Sequence, residues 1–424
     1  MGFGIQDSKF KISLTANPKP PFPLGGDGGR LLTPQRMTNA DFIAQHRTDD
    51  VRKLALKKVP EGVDIAFCLQ QIEGWQLARK KIPEWAATGG LLFPPRLSME
   101  QCSSQQTALY KRGVVERLLE GQYDGMMDLT GGFGIDFSYM APLFRKAVYV
   151  EQQEQLCQIA RHNFQLLGLQ QAVVRNAQSQ DVLMASDYTS LIYADPARRD
   201  GAGRKVVLLQ DCQPDVVTLQ DELMAHAKVV MLKLSPMLDI QQALRQLRQV
   251  REVHVVSVDG ECKELLLVMH QQEAPLRYYC VNITDHVQET VVEDSAVRPV
   301  ICRQEKGYLY EPNASILKAG VQDALCNIYK VEKLHAFSHL FTSDQLIEDF
   351  PGRSFRIIGR SDFSKQGLKN LLAGVKQANL TVRNFPATVQ ELKKKLKLAD
   401  GGSVYLFATT MSDDTHALLR CEKC

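Results

Sequence analysis

The chain has 424 residues and no run of about 18 apolar ones, the length a helix needs to cross a bilayer, so no membrane span is predicted. Residues 1–36 lack the basic-then-apolar order of a secretory signal. They are rich in proline and glycine instead (Pro18, Pro20, Pro21, Pro23, Gly25, Gly26, Gly28, Gly29), which predicts a disordered leader or tag. A dominant charge is missing too, since 51 Lys and Arg face 48 Asp and Glu; the net +3 excludes little. Ten cysteines show no disulfide-like framework, which favours a reducing compartment, the cytoplasm. The terminal Cys421-Glu422-Lys423-Cys424 has metal spacing, but one pair cannot fill a tetrahedral site, and no metal is predicted.

What is present is a chain able to bury large cores. With 44% hydrophobic residues and roughly 150 residues per domain, two to four domains are expected. From Asn39 to Trp85 apolar residues recur at helical spacings, broken at Pro60 and Pro83, so residues 37–92 read as a helical cap. Ser103-Ser104 can cap a helix that carries Thr107, Tyr110 and Lys111. Strand and helix signals then alternate: strands at 126–129, 146–150, 172–174, 190–194 and 228–234, with helices at 136–143, 153–167 and 216–225. Such an order predicts right-handed crossovers and a Rossmann-like, doubly wound parallel sheet over residues 93–270. A hairpin of Val253–Val258 and Leu265–Met269 would close it as an antiparallel edge, with Glu261 to Glu264 in an exposed turn. Beyond Gln271 the pattern changes to small α+β modules, 271–350 (ferredoxin-like) and 351–424. In the first, strands at 278–283, 287–292 and 300–302 precede helices at 314–325 and 334–337. The last holds eleven basic residues between Arg353 and Lys397 against Asp362 and Glu391. Lysine runs are usually a solvated helix face, but this excess also suits contact with phosphates.

The chemistry concentrates at strand ends, where ligands of open α/β sheets bind. Residues 128–136 read Asp-Leu-Thr-Gly-Gly-Phe-Gly-Ile-Asp, a strand end, a glycine turn and a helix start. A dinucleotide fingerprint needs a third glycine three residues after the second, and Phe137 stands there. The run fits the acidic-x-Gly-x-Gly-x-Gly signature of class I methyltransferases, with Asp128, Gly132 and Gly134 in place and Thr130 at the usual first glycine. An acid suits the ammonium and sulfonium of S-adenosylmethionine, whereas it would repel a pyrophosphate. Glu151 ends the next strand 23 positions later, close to the roughly 20 expected of a ribose-binding acid. Asn176 and Asp181 are candidates for the adenine edge or, equally, ordinary turn residues. Asp136 completes the turn, and Gln101, Ser104 and Thr107, with Tyr110 and Lys111, either close over the ligand or cap and solvate a helix.

Residues 93–270 resemble class I S-adenosylmethionine-dependent methyltransferases, and nearly the whole chain from Met37 looks like a bacterial group with a C-terminal THUMP-like module. The phrases that carry the likeness are Leu97 to Ser104, the turn at 128–136, Asp195-Pro196-Ala197-Arg198-Arg199, Lys233-Leu234-Ser235-Pro236, Glu261 to Glu264, and Phe385-Pro386. The resemblance implies S-adenosylmethionine as cofactor and an RNA base, of tRNA or rRNA, as methyl acceptor.

The fourth-strand motif tests that expectation. Amino methyltransferases of nucleic acids show Asp/Asn-Pro-Pro-aromatic there, whereas Ala197 and Arg198 replace the second proline and the ring. Asp-Pro-Ala-Arg is more similar to uracil-C5 RNA methyltransferases, which need a cysteine after the fifth strand; Lys233-Leu234-Ser235-Pro236 has none. Serine is too poor a nucleophile to replace it unaided, so direct in-line transfer to nitrogen or oxygen is expected. Asp195 would orient the acceptor, with Pro196, the retained proline of the motif, beside it in the catalytic site; Arg198 and Arg199 would bind phosphate or a base edge unless they form surface salt bridges; Lys233 and Ser235 would line the pocket unless Lys233 only snorkels. Two other readings stay open: a small-molecule or protein methyltransferase, and a non-catalytic RNA-binding protein that keeps the cofactor fold.

Overall fold

The computed structural model describes residues 37–198, 209–294 and 296–424; the expected leader at 1–36 and Arg199 lie outside them, as does the side chain of Arg198. In chain order come α1 (Asn39–His46), α2 (Val51–Leu54), α3 (Ile65–Lys81), α4 (Pro83–Ala87), α5 (Arg96–Gln101) and α6 (Gln105–Leu119). An alternating stretch follows: β1 (Gly125–Asp128), α7 (Ile135–Met140), β2 (Lys146–Glu151), α8 (Glu154–Leu166), β3 (Ala172–Asn176), α9 (Ser179–Met184) and β4 (Thr189–Ala194). Two short strands, β5 (Ala197–Arg198) and β6 (Cys212–Gln213), precede α10 (Gln220–His226), β7 (Ala227–Leu234), α11 (Ile240–Gln246), β8 (Val250–Val258), β9 (Glu261–His270), β10 (Arg277–Ile283) and β11 (Val287–Glu293). The remainder is β12 (Tyr308–Pro312), α12 (Ala314–Ala319), α13 (Leu325–Tyr329), β13 (Glu332–Lys333), β14 (Phe341–Ser343), β15 (Gly352–Ser361), α14 (Lys365–Leu371), β16 (Asn379–Arg383), α15 (Val389–Leu396), β17 (Tyr405–Thr410) and β18 (His416–Lys423).

These elements fall into two units, one of residues 37–109, 132–139 and 153–170, the other of 110–131, 140–152 and 171–424. The first is helical. Asp50 and Asp64 cap α2 and α3, Thr38 and Asp41 form a capping box on α1, and Pro83 sits in the first turn of α4, where its missing N–H costs nothing. Trp85, Phe93, Phe133, Ile135 and Ile159 form its main core, and Phe137 is fully buried on Phe164, with ring centroids 4.9 Å apart.

The second unit carries a nine-stranded sheet in the order β11-β10-β8-β9-β7-β4-β1-β2-β3, and the fold is a Rossmann-like α/β fold. Ladders β3/β2, β2/β1, β1/β4 and β4/β7 are parallel, so Asp128, Glu151, Asn176, Ala194 and Leu234 end their strands along one edge. Val253, Val255, Leu265 and Leu267 face a core shared with α9 to α13. The alternate residues Glu252, His254 and Glu264 face residues 110–119 of α6, so both faces of this part of the sheet are covered.

Several expectations change here. The hairpin of β8 and β9 is not the edge: β9 inserts between β7 and β8, antiparallel to both, while β10 adds parallel to β8 and β11 forms the edge. Strands expected in a separate 271–350 module thus extend the large sheet. Residues 261–264 belong to β9, and Glu264, expected in an exposed turn, is buried. Residues 334–337, read as helical, form a bend and turn, and 300–302 holds one isolated bridge at Ile301. A second sheet, β13-β14-β12-β15-β18-β17-β16, is antiparallel except for β16/β17.

Candidate cofactor and acceptor site

The glycine turn leaves β1 at Asp128, whose side chain is almost fully buried. The backbone N–H of Thr130 donates to Asp128 Oδ1 at 2.9 Å, and the Thr130 hydroxyl lies 3.4 Å from the same oxygen. Gly132 and Gly134 have φ of +55° and +85°, the left-handed region that glycine enters without strain. Gly131 is required for another reason: a Cβ there would sit 2.2 Å from the Tyr149 ring, and its N–H donates to Val150 O at 2.8 Å. Ser179 donates from its hydroxyl to Leu129 O at 2.6 Å, which fixes the start of the turn from α9. Sequence reasoning missed Gly131 and Ser179; the doubled glycine was the available signal for the first, and the second had none.

Glu151 is buried at the end of β2 beside Asn176, whose amide nitrogen donates to the main-chain oxygens of Glu151 and Gln152 at 3.0 Å each. Asp181 is exposed in the first turn of α9. In the helical unit, Asp136 accepts a 2.7 Å hydrogen bond from Ser103, a residue the sequence offered only as a cap. Ser104 accepts from Thr107 N at 3.2 Å, a helix cap in fact, and Thr107 is buried. Gln101 is exposed at the end of α5.

At the ends of β4 and β7, Lys233 pairs with the carboxylate of Asp195, and the Asp195 N–H donates to the Thr130 hydroxyl at 2.6 Å. Asp195 stays partly exposed while Pro196 is buried. Ala197 and Arg198 then pair with Gln213 and Cys212 as a two-stranded ribbon. Ser235 accepts from Met237 N at 3.3 Å, shaping the turn after β7. Among the described residues no group of three or more His, Cys, Asp or Glu side chains is placed to hold a metal ion, and no helix is long and apolar enough to cross a membrane.

Tyr110 and Lys111 do not form a solvated face. Lys111 is fully buried against Glu264 at 2.5 Å, and the Tyr110 hydroxyl meets His254 Nδ1 at 2.8 Å and donates to Glu289 at 2.9 Å. Arg117 grips Glu252 with two bonds of 2.8 and 2.6 Å, and His254 Nε2 lies 2.9 Å from the same carboxylate. Burial pushes the Glu252 carboxyl up, but the bonds from Arg117 and His254 outweigh it and hold the group well below its usual range.

In the tail, five of the eleven basic residues are engaged. Arg353 and Arg383 share buried Glu311, Arg356 pairs with Glu422 at 2.7 Å, Arg360 with Glu305 at 2.8 Å, and Lys393 with Asp400. Lys365, Lys369, Lys376, Lys394, Lys395 and Lys397 are exposed, on or beside α14 and α15. Phe385 lies 4.9 Å from both Phe363 and His416, ring centroid to ring centroid, on a groove that Pro386 and Lys395 also line.

The chain is 32% identical to a putative methyltransferase from Porphyromonas gingivalis W83, whose crystal structure matches with a TM-score of 0.80 over 91% of this chain and 97% of that one. Residues 308–351 match a ferredoxin-like domain and residues 352–423 a THUMP-like one. The chain belongs to the class I S-adenosylmethionine-dependent methyltransferases with a C-terminal THUMP-like domain. An rRNA methylase from Streptococcus thermophilus matches more distantly, at 11% identity and a TM-score of 0.29 over 38% of this methyltransferase and 96% of that chain; a likeness so low bears no functional weight. No curated protein matches the chain.

Proposed function

We propose that the chain methylates a nitrogen or oxygen of an RNA base by direct in-line transfer, with Asp195 orienting the acceptor. When bound, S-adenosylmethionine supplies an activated methyl group on its sulfonium. The residues present fit this cofactor: Asp128 and Glu151 put two buried carboxylates at adjacent strand ends, one suited to an ammonium and one whose two oxygens suit a ribose diol. Gly132 and Gly134 let main chain approach closely. Asn176, whose amide nitrogen is used by main-chain carbonyls, would offer its Oδ1 to the adenine edge, and exposed Asp181 would take part from α9.

The observation that carries the acceptor half is the Asp195–Lys233 pair one strand away from Asp128. Lys233 pairs with Asp195 at a partly exposed strand end, where the carboxylate accepts a hydrogen bond from an acceptor N–H or O–H and fixes its direction; such positioning is most of what in-line transfer asks of an enzyme. Ser235 shapes the turn behind Lys233. The six exposed tail lysines support RNA as the acceptor, since each neutralised phosphate releases counterions. A second reading, a protein or small-molecule methyltransferase, is favoured by one observation: all four tail arginines between 353 and 397 are committed to carboxylates, which leaves lysines alone for phosphates.

Transfer of a labelled methyl group from S-adenosylmethionine to total RNA, compared with protein and metabolite fractions, tests the choice. Label in RNA that is lost with Asp195→Ala is the expected result. Label confined to protein or metabolites refutes the RNA reading, and absence of transfer to any fraction refutes turnover.

A further inference from the structure

We propose that Thr130 is a positioning residue which couples the cofactor-side carboxylate of Asp128 to the acceptor-side Asp195, a role that rests on the reading of those two acids given above. Beyond the end of β4 the main chain has left the ladder: Tyr193 is the last residue paired with β1 and Ala194 the last paired with β7. The next N–H, that of Asp195, is taken by the Thr130 hydroxyl at 2.6 Å. Accepting that bond leaves the hydroxyl its single proton, and the carboxylate oxygen 3.4 Å away, Asp128 Oδ1, is where it points. The Thr130 N–H meets the same oxygen at 2.9 Å, so one residue grips Asp128 twice and Asp195 once.

Lys233 extends the chain from the other side. Its pairing with Asp195 gives a continuous line, Asp128–Thr130–Asp195–Lys233, across the ends of the neighbouring strands β1, β4 and β7. A glycine at position 130, the usual residue of the signature, could shape the turn but could not make the side-chain link. The threonine therefore adds a connection between the two halves of the site, and a change at Lys233 should be felt at Asp128 only while that hydroxyl is present.

A thermodynamic cycle on the full chain reads this directly, by calorimetric binding of S-adenosylmethionine with no acceptor present. Thr130→Ser should bind within about twofold of the unaltered protein, because it keeps the hydroxyl. Lys233→Met should weaken cofactor binding about fivefold in the Thr130 background and leave it unchanged in the Thr130→Val background. Thr130→Gly serves as the second hydroxyl-free background if Thr130→Val unfolds at a lower temperature. Equal effects of Lys233→Met in both backgrounds, or a Thr130→Ser as weak as Thr130→Val, overturn the coupling. The cycle uses no RNA, so intact coupling with no methyl transfer to RNA sinks only the RNA reading; a protein that does not bind the cofactor at all overturns both.

Discussion

The Lys111–Glu264 pair gives a perturbation whose size follows from burial. Both side chains are essentially without solvent exposure, and their charges are 2.5 Å apart. At an effective dielectric of about 20 the attraction at that distance is about 6–7 kcal/mol. Withdrawing two ions from water costs several kcal/mol each, so the pair as a whole comes out close to neutral. Removing one partner leaves the desolvation cost without the attraction. Lys111→Met or Glu264→Gln alone should therefore destabilise by about 3–5 kcal/mol, whereas the double variant should recover most of that loss. The assay must look in the right place. The two tryptophans, Trp75 and Trp85, belong to the helical unit, whereas β8 and β9 belong to the other, so a probe within these strands is needed. Hydrogen exchange of peptides from Val250–Val258 and Glu261–His270, under increasing urea, reads the opening of this layer itself. A single variant that costs under about 1 kcal/mol, or a double variant no better than either single one, refutes the reasoning.

Acid should loosen the same layer through Glu252. Its carboxyl is held below the ordinary value of 4.5, so its contribution is present above that pH and is lost as pH falls through the depressed folded value; Glu252→Gln should flatten this acid limb in a stability–pH series, and an unchanged limb speaks against it. Gly131→Ala should cost about 1–3 kcal/mol through the clash with Tyr149, with partial recovery in Gly131→Ala/Tyr149→Leu seen as a rise in unfolding temperature; no loss in the single variant contradicts the close approach. Replacing Lys394 and Lys395 by Glu should weaken RNA retention and reduce the slope of log affinity against log salt by about 1.4 or more, as measured by filter binding; an unchanged slope removes α15 from the RNA surface. Cys424, exposed, should alkylate within minutes at pH 8, while Cys421, buried and with its thiol pushed up to about 12, should stay unmodified until the tail unfolds; equal labelling by mass spectrometry contradicts this.

The legible part of the fold is local. Apolar runs of four to eight residues separated by helical patterns marked β1 to β4 and β7, and a parallel sheet brings the ends of such strands to one edge whatever their order, which is why Asp128, Glu151, Asp195 and Lys233 group together in the sequence alone. Neighbour choice is different, because a period of two assigns faces and not partners. The alternation in Val253–Val258 says which residues face the core, yet nothing in it says that β9 will enter between β8 and β7, or that Arg277–Ile283 will pair parallel to β8. The same limit explains the polar residues. Ser104 followed three positions later by Thr107 is a local cap and could be read as one. Lys111 and Glu264 are 153 positions apart, Thr130 and Asp195 are 65 apart, and each of these four, taken alone, has the composition of a surface or turn residue. Burial makes Lys111 and Glu264 an obligatory pair, since an ion withdrawn from water must find its complement inside the protein, and the Asp195 N–H, past the last ladder bond of β4, takes the Thr130 hydroxyl in place of a strand partner. A threonine in a glycine signature is thus the kind of local departure whose reason is tertiary: the side chain that the turn does not need is the one that the end of β4 does.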